Sequence, residues 1–426
     1  MKSAAAINTL FALALLPSLA SAEQYVSSIT ISQDSSNVAF LINNQTNIPP
    51  AMPGREQRAI SLAWCNSATP NITKRLDIDA FHLWPNATDI ELLPGCLRFS
   101  PNARELAVLT PYKLTVIDLK HERQLISLDT HGRVSSFQWL SDTEIGYVKH
   151  ELKEPDYVIC VYPPPPVTSY CRTFWRLQLL AGGTHVLCRD QRQYHRKPFR
   201  RHKFTLPTQP EVWSPDGRYL AYVSGRHVRL LRIRDSSFRN LGHAPFDTRI
   251  YWKPDGSALF FADSEYRKAT LYKVTTATIT DFSTRLAYEM GELMQGLVLE
   301  GWTSDGRFLV FNSWPDTGAY LVQLQPFKVV RLCPDLAQHV NLNANSAPYI
   351  APVPLKNTIC VYDAGVQLAR YDRNGKVCDL RTILRHTSQM PVFAADGNFY
   401  VTQSLMRAAV DIRRIPPNQS GSIVHK

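Results

Sequence analysis

Short apolar runs alternate with clusters of Asp, Gly, Pro and Ser along almost the whole chain, and one stretch sets the pattern. Val212-Trp213-Ser214 is followed by Pro215-Asp216-Gly217, a turn in which proline pre-sets φ, aspartate bonds its own backbone and glycine accepts φ > 0. Arg218 to Ser224 then reads as a second strand, His227 to Ile233 as a third and Ser236 to Leu241 as a shorter fourth, with turn residues at Gly225 and Asp235 between them. Apolar groups occupy both faces: Leu220 and Tyr222 point one way, Tyr219, Ala221 and Val223 the other. A half-solvated sheet alternates more cleanly, so this antiparallel meander is expected to be packed on each side.

The natural neighbours are copies of itself. Ile250-Tyr251-Trp252 runs into Pro254-Asp255-Gly256, and Gly301-Trp302 runs into Ser304-Asp305-Gly306, each followed by an apolar strand. Weaker copies open at Asp34, Asn102, Asp142 and Asp396, and degenerate ones near Gly182-Gly183 and Asn345. A period of about 40 to 50 residues with four short strands per unit predicts an all-β fold: a single closed β-propeller spanning residues 23–426. The last opening lacks a fourth strand before Pro416-Pro417, while residues 23–29 supply a spare one. Sharing one blade between the two termini removes an exposed edge. The expected count is then eight four-stranded blades, or seven if the poorly patterned stretch 175–192 is an insertion.

The run Ser214-Pro215-Asp216-Gly217-Arg218-Tyr219-Leu220-Ala221-Tyr222 resembles the WD40-like repeats of TolB-type propellers, which also occur in the propeller domains of the prolyl oligopeptidase family. The resemblance covers most of the chain after its first twenty-odd residues, and its three central copies match closely. It implies the propeller and little about function, since the architecture hosts scaffolds, receptors, lyases and peptidase gates. Neither the α/β domain that precedes the repeats in TolB nor the hydrolase domain that follows them in the peptidases is expected here.

Residues 1–22 carry Lys2, the apolar run Leu10 to Leu16, a helix-breaking Pro17 and Ser21-Ala22. That order reads as a secretory signal peptide cleaved near Ala20 or Ala22, and the run is too short for a membrane span. The mature protein is therefore expected to be secreted, or periplasmic in a bacterium, with no transmembrane segment. In that oxidising setting the eight cysteines are expected to pair. Cys160 with Cys171 around the proline run, Cys360 with Cys378 across a strand-turn-strand unit, and Cys65 with Cys96 are the expected bridges, leaving Cys188 and Cys333. Asn44, Asn71, Asn86 and Asn418 stand in glycosylation triplets. Three of these fall in the first unit, which also holds an extended loop at 45–60.

Charge sharpens the picture. The chain carries a formal net charge of +11, and its densest cationic run is Arg189 to Lys203, with seven Lys and Arg against one Asp. This basic loop, 189–204, points to an acidic partner. Arg192, Arg196, Lys197, Arg200, Arg201 and Lys203 would pair with anions, and Tyr194 would stack on a ring face. Nucleic acid is not expected for a secreted chain.

Catalytic signatures are sparse. The sequence has no Gly-x-Ser-x-Gly elbow, no phosphate-binding Gly-rich loop and no Cys-x-x-Cys. His121-Glu122 opens like a zincin helix, but Leu125 stands where the second histidine belongs. His185, His339 and His386 fall in different units without metal-ligand spacing. The reading is a secreted binding or interaction propeller for a protein or an acidic glycan, with no metal and no cofactor. The competing class is a propeller enzyme with its site in the central funnel, acting on a glycan as a lyase or on a small molecule as a pericyclase.

Overall fold

A computed structural model describes residues 23–46, 56–70, 73–83, 96–110, 113–130, 134–152, 170–179, 184–190, 211–245, 247–291, 297–313, 318–332, 349–362, 365–385, 391–403 and 410–415. They form eight antiparallel sheets in chain order, over 23–83, 97–129, 134–190, 212–243, 249–281, 297–331, 349–385 and 392–414. Seven have four strands and the last has three among the described residues. Every sheet is a simple meander, and the first strands of neighbouring sheets touch around the ring. The result is an eight-bladed β-propeller, all-β among the described residues apart from one short helix, Ser283–Met290.

The repeated turn works as its residues require. In the fourth blade the Ser214 hydroxyl donates to Asp216 Oδ1 (2.7 Å), and the Arg218 N–H donates to the same oxygen (3.0 Å). Thr303, Asp305 and Arg307 repeat the arrangement at 2.6 and 3.1 Å, and Ser100, Asn102 and Arg104 repeat it at 2.7 and 2.9 Å. The residue after the Asp or Asn is left-handed in six blades, at Gly217, Gly256, Gly306 and Gly397 but also at Ser35 and Ala103, though not at Thr143 of the third. The three turns with closely matching sequence thus stand at equivalent first-to-second strand positions.

The core lies between blades rather than within them. Tyr222, Leu220 and Leu231 of the fourth blade pack on Val148 and Phe174 of the third, and Phe308, Val310 and Leu321 of the sixth pack on Ile359, Val361 and Tyr371 of the seventh. Apolar side chains on both sheet faces are explained by these paired contacts. Tryptophans of the inner strands add a second tie. Trp139, Trp252 and Trp302 donate Nε1–H to the backbone oxygens of Arg98 (3.0 Å), Val212 (3.0 Å) and Tyr251 (3.2 Å) in the preceding blade, and Trp213 donates to Ser136 Oγ (3.3 Å).

Several expectations are corrected. Gly182-Gly183 does not open a blade: it falls between Tyr170–Gln178 and Thr184–Asp190, the third and fourth strands of the third blade, so 175–192 is not an insertion. The opening expected at Asn345 lies outside the described residues, and the seventh blade makes its turn before Thr358 with Asn357 left-handed. The strand Glu23–Ile31 does not complete the last blade. It pairs with Asn37–Thr46 as the inner strand of the first. The ring closes instead by packing Val38 and Cys65 on Ala394, Phe399 and Val401, with the Asp396 N–H donating to Ser35 Oγ (3.4 Å). Residues 45–46 and 56–60 at the two ends of the expected 45–60 loop are strand, with Gln45 paired to Arg58 and Thr46 to Gln57; 47–55 lie outside the described residues.

The expected Cys360–Cys378 and Cys65–Cys96 bridges do not form; all four are free thiols. Cys360 is buried on Thr358–Tyr362, whereas Cys378 lies on Val377–Arg385, with a whole strand between them. Cys65 faces the eighth blade, whereas Cys96 stands at the start of the second blade and packs against the other side of the first sheet. Cys160, Cys333 and the side chains of Cys171 and Cys188 lie outside the described residues. So do residues 1–22, where a signal peptide is expected, and Asn71, Asn86, Asn418 and the side chain of Asn44.

Candidate functional site

The meander topology separates two faces. The Asp turns lie together on one: the Asn102 N–H donates to Asp142 Oδ1 of the next blade (2.9 Å). Third-to-fourth strand turns emerge on that same face, because consecutive antiparallel connections alternate. Second-to-third and blade-to-blade connections emerge on the opposite face, so segments 84–95, 153–169, 191–210 and 333–348 all join strand ends there.

Arg192, Tyr194, Arg196, Lys197, Arg200, Arg201 and Lys203 lie outside the described residues, as do His339, His386 and the side chain of His185. Both flanks of the basic segment are described. It leaves the outer strand of the third blade at Asp190 and rejoins the fold at Glu211, just before the inner strand of the fourth. Glu211 is a buried anchor. Its Oε1 lies 2.7 Å from Arg172 Nε and its Oε2 accepts from Ser135 Oγ (2.6 Å). The Arg172 guanidinium also donates to the Val223 carbonyl (3.1 Å) and lies 5.0 Å from the Tyr222 ring centre.

A second constellation stands on the inner strands of the fifth, sixth and seventh blades. In Leu297–Trp302 the pairing jumps from Leu299 opposite Phe311 to Gly301 opposite Val310, leaving Glu300 as the extra residue of a β-bulge, with Gly301 at φ 145°. Such bulges re-aim one side chain out of the ladder. Here Glu300 Oε2 accepts from the Tyr349 hydroxyl (2.5 Å) and Oε1 from Asn312 Nδ2 (3.0 Å). Asn312 is itself fixed by two bonds to the backbone of Ile350, at 2.9 and 3.0 Å. The Tyr251 hydroxyl donates to the Leu299 carbonyl (2.6 Å), and Arg249 reaches that same hydroxyl.

Burial, and after it the hydrogen bond to Glu300 and that carboxylate's charge, push the Tyr349 phenol well above its ordinary range. Tyr349 therefore stays a neutral donor. Its side of the ring is open: Tyr349 is 40% exposed, and Val298 on the neighbouring inner strand is 38% exposed. The sequence held a signal for this site that repeat counting passes over. Two residues before the inner-strand tryptophan, the third and fifth blades carry Phe137 and Ile250, whereas the fourth and sixth carry Glu211 and Glu300. A carboxylate in an apolar slot marks both the anchor and the bulge.

Fold and site together define an eight-bladed β-propeller with an elaborated connection face. No family model matches the chain, and no curated protein matches it. Among solved structures it is similar to the acylaminoacyl peptidase of Pyrococcus horikoshii, at 11% identity and a TM-score of 0.45 over 85% of this chain and 53% of that one. It is also similar to an oligogalacturonate lyase in complex with manganese (14%, 0.40, covering 85% and 98%) and to the dihydro-heme d1 dehydrogenase NirN (13%, 0.44, covering 85% and 68%). The chain spans about half the length of the peptidases it matches. These likenesses concern the fold alone. Among the described residues, no three His, Cys, Asp or Glu side chains are grouped so as to hold a metal ion, and no helix is long and apolar enough to cross a membrane.

Proposed function

We propose that this chain is a secreted β-propeller that binds an acidic glycan or a similar polyanion across its connection face. One observation carries the reading: Asp190 and Glu211 deliver both ends of the most basic segment to the face where the other long connections emerge. Loops on a rigid scaffold are the usual place for recognition, and a cationic loop raises the local concentration of an anionic ligand. Binding is favoured over catalysis at the Glu300 site because both carboxylate oxygens are held by internal donors and Tyr349 resists ionisation. That arrangement presents fixed hydrogen-bonding groups and no phenolate base.

The test is retention on heparin and on a neutral resin, for the native protein and for a variant with Arg196, Lys197, Arg200 and Arg201 changed to Ser. Ion pairing to these residues is screened by salt, so the variant should elute at clearly lower salt from heparin and unchanged from the neutral resin. Equal elution of the two proteins from heparin would sink the proposal.

A further inference from the structure

Six large apolar side chains are exposed among the described residues, and two of them, Val298 and Tyr349, stand on adjacent inner strands beside the bulged Glu300. Inner strands face the central channel, so these groups are presented at its wall rather than on the outer rim. Single exposed apolar residues need no explanation, but an apolar patch flanked by fixed polar groups marks a ligand site. We infer that the inner strands of the fifth to seventh blades form a pyranose-binding subsite, with Tyr349 and Val298 as its platform, Glu300 as acceptor and Arg249 as donor.

The chemical class follows from the mixture. A pyranose ring offers an apolar C–H face to an aromatic platform and a ring of hydroxyls that donate and accept. Glu300 Oε1 and Oε2 each receive one internal hydrogen bond, at 3.0 and 2.5 Å, and a carboxylate has about four acceptor positions, so about two remain for ligand hydroxyls. Arg249, exposed at the start of Arg249–Trp252, supplies donors that Glu300 and the tyrosines do not. A purely anionic ligand would meet the Glu300 charge, and a purely apolar one would strand its polar groups. The Asn312 bonds to Ile350 and the Tyr251 bond to Leu299 hold this geometry without a ligand, which lowers the ordering cost of binding.

The inference deepens the proposed glycan reading and rests on the ligand being a sugar. Calorimetric titration with a heparin hexasaccharide, in low salt and in salt high enough to screen the basic segment, separates the two sites. The four-serine variant should lose affinity in low salt only. Tyr349→Ala and Glu300→Gln should lose about tenfold in both conditions, while Tyr349→Phe, which keeps the platform, should retain more than Tyr349→Ala. Melting temperatures of the variants control for misfolding. If the four-serine variant weakens but Tyr349→Ala and Glu300→Gln bind like the native chain, the subsite is overturned and the polyanion reading stands. If the native chain does not bind the heparin probe, that reading fails, and neutral cello-, malto- and chitohexaose probe the subsite alone. Binding of one of these that Tyr349→Ala abolishes supports it; no binding, or binding unchanged by Tyr349→Ala, overturns it.

Discussion

Changing Glu211 to Gln tests whether the end of the basic segment is anchored by charge or merely passes through the interface between the third and fourth blades. The native side chains are 1% exposed for Glu211 and 7% for Arg172, and their ionic contact is 2.7 Å. Removing one partner from a buried ion pair costs about 3–5 kcal/mol, chiefly because the other charge stays in a poor solvent. Here the Val223 carbonyl and the Tyr222 ring still face the guanidinium, and Gln still accepts, so the lower end, about 3 kcal/mol, is expected. With an unfolding entropy of about 2.1 cal/mol/K per residue over roughly 400 residues, that lowers the melting temperature by about 4 °C. Scanning calorimetry at one fixed scan rate measures the shift, and hydrogen exchange should show amides of Tyr170–Gln178 and Tyr219–Ser224 losing protection first. Replacing both partners, with Arg172→Met and Glu211→Leu, should recover most of the loss. A Glu211→Gln protein melting within about 1 °C of native, with exchange unchanged, would refute the anchoring argument.

Two further outcomes are expected. Gly217 and Gly256 share a φ of 68°, but a Cβ at Gly217 would stand 2.8 Å from the Trp139 backbone oxygen, whereas one at Gly256 would meet the Asp216 side chain at 3.1 Å. Chemical denaturation should therefore show Gly256→Ala costing about 1–2 kcal/mol for the left-handed backbone and Gly217→Ala roughly 1–3 kcal/mol more; equal costs would count against the close contact. Burial raises the carboxyls of Asp34, Asp216, Asp255 and Asp305, but hydrogen bonds within the turns outweigh it and hold all four below the ordinary value. Their contribution is thus present above the unfolded aspartate value, about 3.9, and is lost as pH falls through the lower folded values. Melting temperature should be level from neutrality to about pH 5 and drop below about pH 4, less so in Asp305→Asn; a profile level to pH 3 would contradict this.

The architecture was legible in the chain because its causes are local. Pro215-Asp216-Gly217 and its copies dictate a turn through their own dihedral and hydrogen-bonding preferences, and apolar residues on both strand faces demand a neighbour on each side. Repetition of that local unit then implies a ring. What only the tertiary structure decided is whatever depends on which blade faces which. Gly182-Gly183 looks like an opening turn but lies beyond the third strand of its blade, because turn chemistry is the same at either position. Sequence proximity pairs the cysteines, yet adjacent segments of a propeller face different neighbours, so Cys65, on the first sheet, is turned to the eighth blade while Cys96, at the start of the second, lies against the other side of that sheet. Glu300 shows the limit most clearly. Its sequence marks a carboxylate in an apolar slot, but the bulge that lifts it from the ladder, and the Tyr349 hydroxyl that meets it, come from packing the sixth blade against the seventh.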